Sequence, residues 1–308
     1  MNIAILGAPG CVGRTLIKNL IDSPDYIITA SYRIPEEIPN DLRNERVTWK
    51  QVNLLDTPNA EDFLRDTDVL IYLIHSLETK KFALTDEQLA HNAGRAAQRV
   101  GVKKIIFLGG IIPKGKHVSL HLKSRMQTGK ALASYKIPVG EIRASILLGT
   151  CSVSYVIVYY LAKRLPIMIT PKWLNSLCAP ISLHDAIDFL KALISHPINS
   201  HEIFEIGSDV IRYRDLLELS GKSIRGFKNI IITFPLIPIW LAAPWIHLIT
   251  RVPNGVARAL AEGLKNNTIP TKNRFKEITG RDPLPVKYVL NQLAEEINFK
   301  KDSSKLTF

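Results

Sequence analysis

The segment NIAILGAPGCVGRTLIKNLI, Asn2–Ile21, runs from a short apolar stretch through Gly7, Gly10 and Gly13 into residues spaced as a helix. Its first five residues read as a strand, and Leu16, Ile17, Leu20 and Ile21 fall on one helical face. The three glycines between these elements have separate uses. Gly7 permits a tight turn, Gly10 lets the backbone approach a pyrophosphate, and Gly13 lets helix and strand pack closely. The free amides and the dipole at the start of the helix favour an anion there. Strand, glycine turn and helix in that order predict a dinucleotide-binding site.

Outward from this segment, β-rich runs alternate with helical patterns: YIITAS, VTWKQ, DVLIYL, then a helix over Asp86–Val100, KKIIFLG, a helix over His121–Ser134, and VGEIRAS. Thr85 and Gln88 read as a capping box, and Gly101 as a C-terminal stop. Strict alternation requires right-handed crossovers, so the expected fold is α/β, a Rossmann-type doubly wound parallel sheet with a smaller C-terminal lobe. We expect a dinucleotide-binding core over 1–150 and a lobe over 151–308, with the tail Lys300–Phe308 fraying.

Forty Lys and Arg against 28 Asp and Glu give a net charge of +12, which favours anionic partners without choosing among them. The basic pairs are dispersed and not interleaved with aromatics, which argues against nucleic acid. Cys11, Cys151 and Cys178 lack CxxC spacing, which argues against a zinc site and against a disulfide framework, and no HExxH or carboxylate cluster suggests another metal. With no leader-like start, the expectation is a cytoplasmic protein. Asn229–Thr250 is long and apolar enough to raise a membrane span, but Pro235, Pro238 and Pro244 interrupt it. A broken helix walling a pocket for a hydrophobic small molecule is the first expectation. Peripheral membrane contact through Trp240 and Trp245 is the second.

The second strand ends in Ser31-Tyr32-Arg33, twenty residues past Gly13, where an acid would accept from an adenosine ribose. Arginine there pairs instead with a 2′-phosphate, which favours NADP, with NAD as the alternative. Together the glycine turn, QVNLLD (51–56), YLIHSL (72–77), GVKKIIFLGGI (101–111), HLKSR (121–125) and EIRASILLG (141–149) resemble the atypical short-chain dehydrogenase/reductases of NmrA-like type. The resemblance is nearest to their bacterial YbjT-like branch, which is related to complex I accessory subunits. It implies that Gly7, Gly10, Cys11, Val12 and Gly13 surround the pyrophosphate, that Asn53 and Leu54 lie beside the adenine, and that Ile74 and His75 approach the nicotinamide ribose. Pro9 and Asn53 depart from the threonine and aspartate common there.

Reductases of the wider superfamily use a Tyr-x-x-x-Lys pair on the helix after the fifth strand, with a serine from that strand's end. Here that helix has His121 and Arg125 at the same spacing, and Gly109 or Gly110 replaces the serine. Tyr159 and Lys163 have the spacing but follow the sixth strand, so they read, with Tyr155 and Tyr160, as packing. Two functions are therefore expected. One is an NADP(H)-binding protein without the Ser/Tyr/Lys set, acting as a redox sensor or scaffold. The other is a reductase or isomerase of a hydrophobic substrate in which His121 relays a proton and Arg125 holds a phosphate or carboxylate. A third reading, from another class, is a basic membrane-surface or nucleic-acid partner protein.

Overall fold

Ile3, Ala4, Ile5 and Leu6 are each at most 1% exposed, as are Leu70, Ile71 and Tyr72. Strands covered on both faces need apolar side chains at every position, which is why these runs do not alternate with polar residues. In the computed structural model, which describes residues 1–43, 45–77, 82–114, 118–234 and 237–299, the chain begins β1 (Asn2–Leu6), α1 (Cys11–Leu20), β2 (Ile27–Tyr32), β3 (Val47–Gln51), α2 (Thr57–Leu64), β4 (Val69–Tyr72), α3 (Phe82–Val100), β5 (Lys104–Gly110), α4 (Leu120–Ala133) and β6 (Val139–Ala144). It continues β7 (Leu147–Leu148), α5 (Val153–Arg164), β8 (Ile167–Pro171), β9 (Leu177–Cys178), β10 (Ile181–Ser182), α6 (Leu183–Ser195), β11 (His201–Ile206), β12 (Ile211–Arg212), α7 (Tyr213–Arg225), β13 (Ile230–Phe234), α8 (Ile239–Thr250), α9 (Asn254–Gly263), α10 (Phe275–Thr279) and α11 (Val286–Phe299).

Two units emerge. The first comprises 1–110, 124–143 and 187–204, and the second comprises 111–123, 144–186 and 205–308. In the first, seven strands lie in the order β11-β6-β5-β4-β1-β2-β3. The β1–β2, β1–β4, β2–β3 and β4–β5 pairings are parallel. This is the expected doubly wound sheet, and its order reverses between β1 and β4, where such sheets bind ligands at their carboxyl ends. Leu16, Ile17 and Leu20 of α1 and Ala90, Ala93, Ala96 and Ala97 of α3 are buried. The alanines let α3 approach closely without excluding volume. Two local expectations change. α2 appears between β3 and β4, started by Asp56 and Pro58. α3 already runs from Phe82, so Thr85 lies inside the helix and is not its cap.

In the second unit the segment expected to be one broken helix divides into a strand, β13, paired in parallel with β8, and a helix, α8, which contains Pro244. β-branched Ile230, Ile231 and Ile232 favour the strand. Pro235 and the tail from Lys300 lie outside the described residues. No helix of the described residues is long and apolar enough to cross a membrane. Cys178 is the free thiol of this unit, buried at β9. Cys11 and Cys151 are not free thiols, a departure from the expectation that spacing argues against disulfides, because separation along the chain does not limit which thiols tertiary folding consumes.

Candidate functional site

The turn after β1 is built so that side chains would spoil it. Gly7 has φ +80°, and a Cβ there would lie 3.0 Å from the Leu73 carbonyl carbon. A Cβ on Gly13 would stand 2.5 Å from the Ala8 oxygen, so glycine is what lets α1 pack onto its own turn. The Gly10 amide donates to the Gly7 carbonyl at 3.2 Å, and the Gly7 amide to Ser31 Oγ at 3.0 Å, which ties the turn to β2. Gly10 caps α1 without a side chain, and the amides of the first turn face the anion-favouring end of the helix. This cradle fits a dinucleotide pyrophosphate.

Arg33 follows β2 directly. Its Nε and Nη2 donate to Glu37 Oε1 at 3.0 and 2.7 Å, and its amide donates to Glu37 Oε2 at 2.9 Å. Burial works to raise the Glu37 pKa, but the contacts with Arg33 outweigh it and hold the carboxyl below its usual range. The guanidinium itself is 85% exposed, so it can reorient toward an incoming phosphate. Asn53 accepts from the Leu55 amide at 3.0 Å, and Leu54 is buried with its carbonyl accepting from Asn92 Nδ2 at 2.8 Å. The adenine-side loop is therefore held by the chain's own polar groups.

Beyond β4 lies an array that the sequence did not announce. The His75 ring Nδ1 lies 2.8 Å from Asp86 Oδ2, the Ser76 amide donates to Asp86 Oδ1 at 2.9 Å, and Ser124 Oγ donates to Oδ2 at 3.2 Å. Asp86 is 1% exposed. Burial pushes its pKa up, but the hydrogen bond and charge of His75, the charge of Arg125 and the side chain of Ser76 bring it below the usual carboxylate range. Burial, followed by the positive charge of Arg125, drives the His75 pKa down to about 4 against the pull of Asp86. His75 is thus neutral near pH 7, with Nδ1–H donated to Asp86. The signal for Asp86 was present in the sequence: it shares a helical face with Ala90, Ala93 and Ala97, and a carboxylate on an apolar face needs partners.

Arg125 is 5% exposed and stacks 4.6 Å from the Phe107 ring centroid. One Nη donates to the Ile74 carbonyl at 2.9 Å and the other to the Leu108 carbonyl. Both Nη groups thus hold the backbone after β4 and at β5. His121, four residues earlier on α4, belongs to the second unit and lines a cavity of about 540 Å³. The other lining groups are mostly apolar, among them Ile157, Leu161, Met168, Leu217 and Ile246. Two lining residues have buried polar atoms without a hydrogen-bond partner, Trp173 Nε1 and Thr170 Oγ1. Lys163 donates to the Tyr159 hydroxyl at 3.0 Å, and Tyr159 is 3% exposed, as suits packing. Among the described residues no group of three or more His, Cys, Asp or Glu could hold a metal ion.

Residues 7–158 match a protein family described as NAD(P)H-binding. This stretch is an NAD(P)H-binding domain. It spans the glycine turn, Arg33, Asn53 and the His75–Asp86 array, and its cofactor is a nicotinamide dinucleotide. No curated protein matches the chain in sequence. Solved structures do match in fold. A nucleoside-diphosphate-sugar epimerase from Staphylococcus aureus is 17% identical, with 94% of this chain and 100% of that one covered and a TM-score of 0.76. A triphenylmethane reductase from Citrobacter is 16% identical, with 96% and 100% covered and a TM-score of 0.76. An NADPH-dependent quinone oxidoreductase from Escherichia coli, in complex with NADPH, is 18% identical, with 94% and 99% covered and a TM-score of 0.73. At such identities the NAD(P)H-binding domain shares their fold, and its chemistry rests on its own residues.

Proposed function

We propose that this chain is an NADP(H)-dependent reductase of an uncharged, hydrophobic ligand bearing a carbonyl or quinone oxygen, of the atypical short-chain dehydrogenase/reductase type and its NmrA-like, YbjT-like branch. The observation that carries this reading is the apolar cavity with Trp173 Nε1 and Thr170 Oγ1 unpartnered in its wall. A ligand oxygen accepting from the indole N–H would satisfy a group whose isolation costs about 1–3 kcal/mol. Apolar walls with a few oriented donors select an uncharged ligand. A protein that only holds a dinucleotide has no use for such a cavity.

In this reading Gly7, Gly10 and Gly13 and the first amides of α1, at Cys11 and Val12, hold the pyrophosphate. Arg33 trades Glu37 for the 2′-phosphate of NADP(H); with NAD(H), Glu37 is the acceptor at hand for ribose hydroxyls. Ile74 and His75 would approach the nicotinamide ribose, and they are fixed from behind by Arg125 and Asp86, which are positioning residues. Asn53 and Leu54 flank the adenine. The dinucleotide, when bound in reduced form, supplies hydride. His121 gives the matching proton to the ligand oxygen and regains one from solvent, so the ligand leaves reduced by the two electrons of the hydride, with one further proton on its oxygen.

A second reading, a cofactor-holding sensor or scaffold without turnover, is favoured by two features: Gly109 and Gly110 stand where the serine would be, and Arg125 is bound to the backbone. Incubating the NADPH complex with apolar quinones, aldehydes and enones while following nicotinamide absorbance separates the two. Oxidation lost in His121→Ala, with NADPH affinity kept, supports the reductase. NADPH binding with no oxidation by any of them supports the sensor.

A further inference from the structure

β8 and β13 pair in parallel with Ile167 opposite Ile230 and Ile169 opposite Ile232. Paired residues and their i+2 neighbours share one face of a sheet, so these four and Phe234 project together. All five are exposed, by 52–60%. On the opposite face, Met168 and Thr170 of β8 are buried. α8 repeats the inversion: Trp240, Leu241, Trp245 and Leu248 fall at i, i+1, i+5 and i+8, one helical face, and are 70%, 52%, 37% and 74% exposed. Ala242, Ala243 and Ile246 cover the buried side. Two adjacent elements of the second unit thus turn large apolar side chains to the outside, which a freely dissolved protein does not sustain without a use.

The two faces surround one opening. Ile167, Ile169, Leu241 and Trp245 are all exposed, and all four also line the apolar cavity. The charge around them is mainly positive, with two of the bordering cations paired, Lys228 with Glu218 and Arg258 with Glu262. The stretches 142–184 and 219–261, which carry β8, β13 and α8, contain no Asp or Glu. They hold the exposed cations Lys163, Arg164, Lys172, Lys228, Arg251 and Arg258. Arg164 and Lys228 precede the two strands, and Arg251 ends α8. An excess of cations beside exposed apolar faces suits an anionic bilayer: apolar side chains enter the acyl boundary while unpaired Lys and Arg meet headgroup phosphates.

We propose that this face of the second unit is a monotopic membrane-docking surface for anionic bilayers, with the cavity mouth turned to the lipid so that its ligand enters from the bilayer. Docking is carried by the exposed faces of β8, β13 and α8 whether or not the cavity ligand is reduced, so the inference survives failure of the reductase reading. No helix of the described residues is long and apolar enough to cross a membrane.

The test is flotation of the full chain with vesicles of phosphatidylcholine alone and of phosphatidylcholine with phosphatidylglycerol, at low and high salt. The expected result is flotation with the anionic vesicles, weakened by salt, with a blue shift of tryptophan emission. Ile232→Glu and Leu248→Glu, both at exposed positions, should each weaken vesicle binding by about tenfold or more, as burial of a carboxylate in lipid opposes docking. Both variants should keep parental NADPH affinity, which shows that they fold. Absence of flotation with anionic vesicles overturns the proposal, as does flotation indifferent to both substitutions. Concentration-dependent self-association that the two substitutions abolish, without flotation, overturns it in favour of a second copy covering the face.

Discussion

Arg33 is the residue on which cofactor choice turns. In the structure its guanidinium is neutralised by Glu37 and lies open to solvent, so a 2′-phosphate competes for it without displacing any buried contact. Arg33→Asp should lower affinity for NADPH by about tenfold or more and leave NADH affinity nearly unchanged, read by fluorescence titration with both nucleotides. Equal behaviour of variant and parent would assign the 2′ corner elsewhere. His75 makes the second prediction at this scale. Its pKa of about 4 in the fold lies below the ordinary imidazole value of 6.5. The unfolded chain therefore binds a proton first on acidification. The stabilisation from keeping His75 neutral is complete above about pH 6.5 and is lost as pH falls toward 4, with Asp86, also lowered, adding loss of the same sign below that. Urea unfolding should show stability dropping by up to about 2 kcal/mol between pH 6.5 and pH 5 from this group, and His75→Gln should flatten that slope. The family resemblance implied that His75 approaches the cofactor, and a carboxylate on the apolar face of α3 signalled a buried partner for Asp86, but neither showed that the two residues pair.

At the scale of elements, most of what the first unit needs was legible in period and punctuation. β1, α1, β3 and β6 fall within a few residues of expectation because each is a run whose apolar period or glycine boundary is unambiguous. α2 and the early start of α3 were missed: α2 is a short helix, and the first turn of α3 carries only a weak pattern. β13 was misread as helix because a continuous apolar run looks the same at either period. The end of α6 shows a contact that no local rule reaches. Lys104, at the start of β5, donates Nζ to the carbonyls of Leu193, Ile194 and His196 at 2.9, 2.7 and 2.8 Å. These are the acceptors a helix leaves open at its C-terminus. Lys104→Met keeps the apolar stem and strands those carbonyls, and it should cost about 1–3 kcal/mol in chemical denaturation with NADPH affinity unchanged. A cost within a few tenths of a kcal/mol would mean that water replaces the ammonium.

At the scale of the whole molecule, the chain carries a dinucleotide domain in one unit and, in the other, an apolar cavity with unpartnered polar atoms. If the cavity serves a reductase, His121→Ala should lower kcat for an apolar quinone by about 10²-fold or more while the NADPH dissociation constant stays within about twofold, as removal of a proton donor does. An unchanged kcat removes His121 from the chemistry and returns the sensor reading. The net charge of +12 is likewise a property of the whole chain. Only the fold shows that some of it borders an exposed apolar face, which turns a compositional excess into a located one.

What the sequence determined by itself was the alternation of strands and helices, the glycine turn and the arginine after β2, because each depends on residues close together along the chain: a period, a missing Cβ, a charge at a strand end. What only the tertiary structure decided was which polar groups meet. Asp86 with His75, Arg125 with the carbonyls of Ile74 and Leu108, and Lys104 with the end of α6 are pairings between elements far apart in sequence, and burial selects them, since a desolvated charge must find partners wherever the fold supplies them. The outward apolar faces of β8, β13 and α8 belong to the same class. Hydrophobicity was plain in the letters, but which face of each element is covered is set by its neighbours in space.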